Sequence, residues 1–200
     1  MSGNPEFYRR RLPHWQPPGA TLFVTFRLAG SLPAAVIAQL RAEHERQERL
    51  LAQIADVQNR HRRAYLEERR AFGRWDGALD AAVDSPRWLA RPEIADIVFD
   101  ALQYRAGKIY DLTTFCIMPN HVHLVCTPLP RGDGTYHVLH RILQSLKRYT
   151  ATRANRILRR RGAFWQGENY DHVVRDDDEL ERIVRYVISN PFKGGLVDEW

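Results

Sequence analysis

The sequence predicts an α+β fold, in which helices pack on the faces of a small central antiparallel sheet. The first observation is an alternating apolar run over residues 20–28, which is typical of a strand. The second is a pair of apolar runs, 109–118 and 121–127, joined by a Pro-Asn turn as in an antiparallel hairpin. The third is a set of later segments whose apolar residues recur at helical spacing.

Bulk properties favour a nucleic-acid partner and exclude a membrane protein. The chain has 200 residues and a net charge of +6, and a basic balance favours nucleic acid first and anionic lipid second. No apolar run approaches the roughly 20 residues that span a bilayer, so we expect no membrane partner. Two cysteines and a polar N-terminus without an apolar signal segment suggest a reduced, cytoplasmic protein. We expect a single domain over 1–200.

The segment that follows the first strand is helix-forming and strongly charged. Gly30 and Pro33 mark a turn, and residues 34–71 then contain neither Gly nor Pro. Their thin apolar stripe and mixed charges predict a solvated helix or helical pair, inserted at about 34–72. An arm that touches DNA or a partner is the alternative interpretation.

The remaining chain predicts three helices around the hairpin. Pro92 fits the first turn of one helix, and a second is expected from about Tyr136 to Arg160. A third is expected from about Asp177 to Ser189, where Pro191 ends it. A short strand after this last helix would complete the sheet.

The second run of the hairpin opens on two histidines separated by one valine. Because side chains of a strand alternate between its faces, His121 and His123 point to one side and Val122 to the other. Two imidazoles on one face are half of a metal site. Two unrelated histidines on an edge strand are the alternative.

The helix expected from Tyr136 to Arg160 has a basic outer face. No acidic residue occurs between Asp133 and Glu168, whereas a solvated face usually mixes both signs. Such a face is typical of a surface that follows phosphates. We predict DNA contacts from this helix and from the N-terminal arginines, through Arg9, Arg10, Arg11, Lys147, Arg148, Arg153 and Arg156.

The block at 118–123, Met-Pro-Asn-His-Val-His, resembles the HUH motif of single-tyrosine transposases, and among them the REP-associated tyrosine transposases of bacteria. Later stretches are also similar to that family: Phe-Trp-Gln at 164–166, Tyr-Asp at 170–171 with Arg175, and residues 186–197. The resemblance covers roughly residues 8–30 and 72–197. It implies an HUH endonuclease or ferredoxin-like sandwich, with the histidines on a middle strand of the sheet.

Two tyrosines on predicted helices are candidates for a nucleophile. Tyr149 falls within the apolar stripe of its helix and is expected in the core, whereas Tyr186 lies on a flank of the last helix that can face a cleft. Asn190 follows Tyr186 by one turn on the same face. Its amide oxygen with the two imidazoles would make an open site for Mg²⁺ or Mn²⁺; a helix C-cap before proline is the alternative for Asn190.

The resemblance implies a metal-dependent endonuclease and strand transferase that acts on single-stranded DNA near hairpin-forming palindromic repeats. Tyr186 would be the nucleophile and would form a 5′-phosphotyrosine link, while His121, His123 and Asn190 hold the metal. His172 or Asp171 could assist proton transfer. Such a protein is expected at the bacterial nucleoid, as a monomer or a homodimer.

Two other functions are compatible with these residues. One is a DNA-binding protein that keeps the fold and does not cut, which needs the basic surface and not Tyr186. The other is a metal hydrolase that uses the two histidines with a carboxylate such as Asp171, and it would form no covalent adduct.

Overall fold

The computed structural model describes residues 7–9, 13–15, 17–82 and 84–198, the first two ranges by their backbone alone. The chain divides into two compact units. One contains Met1–Ala29 with Arg87–Trp200, and the other contains Gly30–Pro86. The predicted α+β class is confirmed, since the first unit combines an antiparallel sheet with packed helices.

The strands within the described residues form two separate sheets. In chain order they are β1 (Phe7–Arg9), β2 (Pro13–Trp15), β3 (Leu22–Arg27), β4 (Tyr110–Ile117), β5 (His121–Pro128) and β6 (Tyr170–Val173). β1 pairs with β2, and the other four form a sheet of order β4-β5-β3-β6 in which all neighbours are antiparallel. The histidine strand β5 is therefore a middle strand, as the resemblance implied.

The helices follow the predicted segments closely. They are α1 (Ala34–Ala52), α2 (Val57–Asp80), α3 (Pro92–Arg105), α4 (Leu139–Ile157) and α5 (Asp177–Lys193). Pro92 occupies the first turn of α3, where its missing N–H costs no helical hydrogen bond. No helix within the described residues is long and apolar enough to cross a bilayer.

The unit of residues 30–86 consists mainly of α1 and α2, which pack against each other. α1 has no buried residue, and oppositely charged side chains such as Arg46 and Glu43 form ion pairs along it. Asp56 caps α2 by accepting a hydrogen bond from the Asn59 N–H. These features suit a solvated helical pair, and the assignment of the stretch as an insertion stays a prediction.

The predicted final strand is wrong in its position. The fourth strand of the sheet, β6, precedes α5 and pairs with β3, where Asp171 lies opposite Val24. No strand occurs in the described residues 194–198. β6 has only four residues and is too polar for its sequence to show the apolar alternation of a strand. Its extended conformation therefore depends on pairing with β3.

Pro191 does not end the last helix, contrary to the prediction. α5 continues through it to Lys193. Proline lacks a backbone N–H, but the backbone N–H groups that follow it still have acceptors. The Gly194 N–H donates to the Asn190 carbonyl and the Leu196 N–H donates to the Pro191 carbonyl, each at 2.8 Å. A proline in the last turn is therefore tolerated.

The two faces of the four-stranded sheet are covered by different helices. On one face Val24 and Phe26 of β3, with Val122 and Leu124 of β5, pack into the hydrophobic core formed with α3 and α4. Alternation directs the side chains of His121 and His123 to the other face. That face is covered by α5, so helices lie on both sides of the sheet.

Candidate active site

The two predicted metal-ligating histidines form a buried, directly opposed pair. His121 and His123 are both 0% exposed, and their Nε2 atoms lie 3.0 Å apart. On the far side of each ring, the Nδ1 atom has a polar partner. His121 Nδ1 lies 2.7 Å from the Asn120 Oδ1, and His123 Nδ1 lies 2.8 Å from the Thr25 Oγ1.

The Asn120 partner determines the tautomer of His121, whereas the Thr25 partner is compatible with either tautomer of His123. An amide oxygen can only accept, so His121 Nδ1–H donates to Asn120 and its Nε2 carries a lone pair. The Thr25 hydroxyl can donate or accept, and when it accepts from His123 Nδ1–H, both Nε2 lone pairs face the same point. Two lone pairs at 3.0 Å repel unless a cation or a proton lies between them. The donor set therefore fits a divalent metal, with outer hydrogen bonds that orient each imidazole.

The burial of the pair keeps His121 neutral. Desolvation, and then the nearby His123 imidazole, hold the pKa of His121 well below its ordinary value of 6.5. A neutral imidazole is the form that binds a metal. His121 is therefore available as a ligand at neutral pH and somewhat below it.

Tyr186 lies against this pair on α5. Its ring is half-buried and meets the His123 ring edge to face, with 5.6 Å between centroids and 70° between planes. Phe23 of β3 contacts both rings, and the Lys193 Nζ lies 5.2 Å from the Tyr186 ring centroid. The flank of α5 that was predicted to face a cleft thus faces the histidines.

Asn190 lies one turn after Tyr186 and is 1% exposed. Its Nδ2 atom has no hydrogen-bond partner within the described part of the chain. A buried amide group without a partner costs about 1–3 kcal/mol, so such a group is usually satisfied by a ligand or a water. The alternative of a C-cap is wrong for Asn190, because Gly194 is the C-cap of α5.

Tyr149 is not a core residue, contrary to the prediction. It is 41% exposed, and Arg105 and Arg153 lie over its ring. The buried stripe of α4 follows the i+4 row from Leu146 to Thr150 and onward, which leaves Tyr149 on its edge. Trp165 reinforces that row by donating its Nε1–H to the Thr150 Oγ1 at 2.8 Å.

The predicted DNA-contact residues lie away from the histidines or outside the described side chains. α4 packs on the opposite face of the sheet, with Arg148, Arg153 and Arg156 exposed. Lys147 is half-buried, and its Nζ donates to the carbonyls of Gln166 and Gly167. The N-terminal candidates cannot be placed, since Arg10 and Arg11, like the side chain of Arg9, lie outside the described residues.

The two candidates for proton transfer have other close neighbours. His172 and Glu179 are 7% and 4% exposed, and the His172 Nε2 lies 3.1 Å from the Glu179 Oε1. Asp171 accepts a hydrogen bond from the Asn169 Nδ2 at 2.9 Å. His172 thus links β6 to the first turn of α5.

Three further residues of the site were not predicted from the sequence. Thr25 and Asn120 orient the imidazoles, and Lys193 lies beside the Tyr186 ring. Asn120 stands next to the motif and Lys193 lies two turns after Tyr186 on α5, so local spacing could have indicated both. Thr25 is 98 residues from His123, and only the strand register brings the two together.

Comparison with known proteins identifies similar sequences. Residues 93–190 match the family model described as "Transposase IS200 like". A putative REP-associated tyrosine transposase of Haemophilus influenzae is 30% identical over 95 residues, which cover 44% of this chain and 53% of the relative. The REP-associated tyrosine transposase of Escherichia coli K12 is 21% identical over 98 residues, which cover 49% and 54%. The matched region thus spans about half the length of these curated relatives.

One solved structure also aligns with the chain. It is described as the structure of the REP-associated tyrosine transposase bound to a REP hairpin. The alignment covers 100% of this chain and 78% of the other, with 16% identity and a TM-score of 0.46.

Proposed function

We propose, from the confirmed resemblance of this chain to the REP-associated tyrosine transposases, that it cleaves and rejoins single-stranded DNA beside hairpin-forming repeats. The observation that supports this most directly is the contact between the Tyr186 ring and His123, which is one of a buried pair of histidines. A phenol adjacent to a metal-ligating group is the combination that a covalent phosphoryl transfer needs. We propose that the activity resides in one domain and acts in the cytoplasm, at the nucleoid.

We propose that His121, His123 and Asn190 hold a divalent metal, Mg²⁺ or Mn²⁺. The opposed Nε2 atoms support the two imidazole ligands, and the burial of Asn190 one turn after Tyr186 supports its Oδ1 as the third. The ion, when bound, supplies positive charge for an oxygen of the scissile phosphate. Thr25 and Asn120 hold the imidazoles in the tautomers that leave Nε2 available.

Tyr186 carries the covalent step in this proposal. Its phenol loses a proton, the Oη–P bond forms, and the bond between phosphorus and the 3′-oxygen breaks. The departing 3′-oxygen takes up a proton, which leaves a free 3′-hydroxyl and a 5′-phosphotyrosine. Attack by a 3′-hydroxyl on the phosphotyrosine reverses the step and rejoins a strand. Lys193 places a positive charge beside the ring whose oxygen becomes negative in this sequence.

We propose that the hairpin is held mainly by backbone contacts. Arg148, Arg153 and Arg156 on α4 supply exposed charge, together with the N-terminal arginines. Because α4 and the histidines lie on opposite faces of the sheet, DNA that contacts both must pass around an edge of the sheet. The protein acts on one strand at a time, as a monomer or as a homodimer.

A covalent-adduct assay tests this function. The protein is incubated with a 3′-labelled hairpin oligonucleotide with single-stranded flanks and Mn²⁺, and the products are separated on a denaturing gel. We expect a protein–DNA band that EDTA prevents and Tyr186→Phe abolishes. Tyr149→Phe is the matched control, since it removes a hydroxyl from a more exposed tyrosine on the other layer, and it should keep the band.

The denaturing gel, together with a native gel of the same mixture, separates the two alternatives. A DNA-binding protein that does not cut would shift the oligonucleotide in a native gel and form no covalent band with any variant. A metal hydrolase would cleave without an adduct, and its cleavage would survive Tyr186→Phe. Either result would overturn the proposed transesterification.

A further inference from the structure

The outer face of α2, within the unit of residues 30–86, is basic. The residues of this helix that are exposed and recur at helical spacing are Asn59, Arg62, Arg63, Leu66, Arg69, Arg70 and Gly73. Because residues three and four apart share one side of a helix, these residues form a continuous surface, which we call the arginine face. It presents four guanidinium groups and no carboxylate. The next carboxylate on the same side is Asp80, roughly 15 Å beyond Arg70 along the helix.

The acidic residues in the middle of α2 lie on its other sides. Glu67 and Glu68 are half-buried, whereas the residues of the arginine face are exposed. The Glu67 carboxylate lies 2.6 Å from the Arg74 guanidinium, and its side chain is only 12% exposed. A segment whose sequence mixes acids and bases therefore has an outer surface of one sign. This separation becomes visible only when the burial of each residue is known.

α1 shows how a solvated helix of the same unit differs from α2. Arg46 lies 3.6 Å from Glu43, and Arg49 lies 4.0 Å from Glu45. These surface pairs of opposite sign leave little net charge along α1. α1 is therefore an internal comparison for α2, since both helices are long, carry several arginines and are largely exposed.

The positive charge of the arginine face is mostly without a counter-charge. Within the part of the chain that the structure describes, no carboxylate pairs with Arg62 or Arg63. Arg69 lies over an aromatic ring, and Arg70 lies 3.6 Å from the carboxylate of Glu67 at the edge of the face. A surface with four guanidinium groups and one carboxylate at its edge attracts a polyanion.

The composition and spacing of the arginine face favour duplex DNA as that polyanion. Single strands are usually held by aromatic side chains on which bases stack, and the two nearby rings, Tyr65 and Phe72, are half-buried on other sides of the helix. Helices that lie on anionic lipid bury a broad apolar face, whereas this face offers only Leu66. The arginine pairs 62–63 and 69–70 are separated by roughly 10 Å along the helix, close to the roughly 12 Å width of the major groove.

We infer that the arginine face of α2 binds duplex DNA through its phosphate backbone, as the stem of the hairpin presents it. Guanidinium groups that contact phosphates add affinity without reading the bases, so this contact has no sequence preference. The inference rests on the proposed function for the identity of the DNA. It assigns a role to the helical unit, which the proposed chemistry does not use.

The test measures the affinity of the full chain for a blunt DNA duplex of arbitrary sequence. Fluorescence anisotropy gives the dissociation constant at several salt concentrations, with EDTA present and in the Tyr186→Phe background, so that the DNA stays intact. A single strand of the same length and phosphatidylserine vesicles are measured in parallel. The salt slope reports how many phosphate contacts the protein makes.

The first pair of variants adds a carboxylate to each helix. Leu66→Glu places it among the four arginines, and Leu50→Glu places it on α1, at a leucine of similar exposure, 46% against 41%. We expect Leu66→Glu to weaken duplex binding about tenfold at low salt, because a negative charge there repels phosphates and neutralises arginines. Leu50→Glu should change the affinity less than about twofold. Circular dichroism checks that both variants keep their helices.

The second pair of variants removes two charges from each helix. Arg62→Gln with Arg63→Gln should lower the salt slope for the duplex by about 2, if each guanidinium contacts one phosphate. Arg46→Gln with Arg49→Gln removes the same charge from α1, where each arginine has an acidic neighbour. This control should leave the slope unchanged.

Crosslinking provides an independent readout of position. Cys116 and Cys126 are buried, so a cysteine introduced at an exposed site can be labelled selectively with an aryl azide. We expect Asn59→Cys on the arginine face to crosslink to the duplex on irradiation. Ala42→Cys, at an exposed position of α1, should not. Equal crosslinking from the two positions would contradict the assignment.

The inference is overturned if the arginine-face variants bind the duplex as the parent protein does, or if the α1 variants lose as much. It is equally overturned if the arginine-face variants weaken binding to the single strand or to the vesicles and spare the duplex. Failure of the proposed function looks different. In that case duplex binding still depends on the arginine face, while the covalent band is absent from the protein that retains Tyr186.

Discussion

At the scale of single residues, the candidate chemistry depends on groups that bind no substrate themselves. The buried imidazoles of His121 and His123 present their Nε2 atoms to each other because Asn120 and Thr25 engage the two Nδ1 atoms. Outer hydrogen bonds of this kind set both the tautomer and the ring orientation of histidine ligands. The metal affinity should therefore respond to residues next to the ligands.

Replacing Thr25 by valine tests this dependence. The change keeps the shape of the side chain and removes the hydrogen bond to His123. We expect the affinity for Mn²⁺ to fall about 10- to 100-fold, as for other second-layer partners of metal-bound histidines. Isothermal titration calorimetry measures it, with Thr21→Val as control, because Thr21 bonds to Thr127 and not to a histidine. An unchanged affinity would mean that packing alone orients His123.

The pH dependence of stability follows from the lowered pKa of His121. In the unfolded chain this pKa is near 6.5, and in the folded protein it lies well below that value. Between the two values the unfolded chain binds more protons, so the free energy of unfolding falls as the pH is lowered below about 6.5. Thermal melts of the metal-free protein from pH 7.5 to 5 should show this decline, and His121→Gln should reduce its slope. An equal slope in the variant would assign the decline to other groups.

At the scale of elements, α5 is the helix on which the proposed reaction depends. It carries Tyr186 and Asn190 on the face that covers the histidines. Its first turn is anchored twice: Asp176 accepts from the Glu179 N–H, and Glu179 accepts from the Arg175 N–H and lies beside His172. The position of the phenol therefore depends on a cap three turns away along the helix.

Removing the cap should loosen this helix. Asp176→Ala deletes the acceptor for the Glu179 N–H, and loss of such a cap costs about 1 kcal/mol. For a chain of this size the melting temperature should drop by roughly 2–4 °C. Differential scanning calorimetry measures it, and Asp177→Ala is the control, since it removes a first-turn acid that caps nothing in the described structure. An equal drop in melting temperature for the two variants would mean that Asp176 acts only through its negative charge near the helix N-terminus and not as a cap.

At the scale of the whole unit, the four-stranded sheet separates the proposed chemistry from the basic helix. The histidines and α5 lie on one face, and α3 with α4 lie on the other. Substitutions on α4 should therefore alter DNA affinity without altering the metal site. The two proposed functions can be measured separately because, among the described elements, α4 carries the basic surface while β5 and α5 carry the proposed metal ligands.

The α4 arginines provide that test. We expect Arg153→Ala with Arg156→Ala to weaken DNA binding and to reduce the slope of log K against log salt by about 2, if each contacts one phosphate. The affinity for Mn²⁺ should not change. Arg91→Ala serves as control, because its guanidinium is paired with Glu93. An unchanged salt slope in the double variant would remove this part of α4 from the DNA surface.

The sequence by itself determined the local features: the two histidines on one side of a strand, Tyr186 and Asn190 one turn apart on a helix, and the basic surface of α4. These features follow from the spacing at which side chains return to the same face, which is two residues in a strand and 3.6 in a helix. That spacing relates only residues that are close together in the chain. Only the tertiary structure decided that Thr25 reaches His123, that β6 completes the sheet, that Tyr149 is exposed and that α4 and α5 cover opposite faces. Strand register and helix docking join residues far apart in sequence, and their free energy comes from burial of whole faces, which no local pattern reveals.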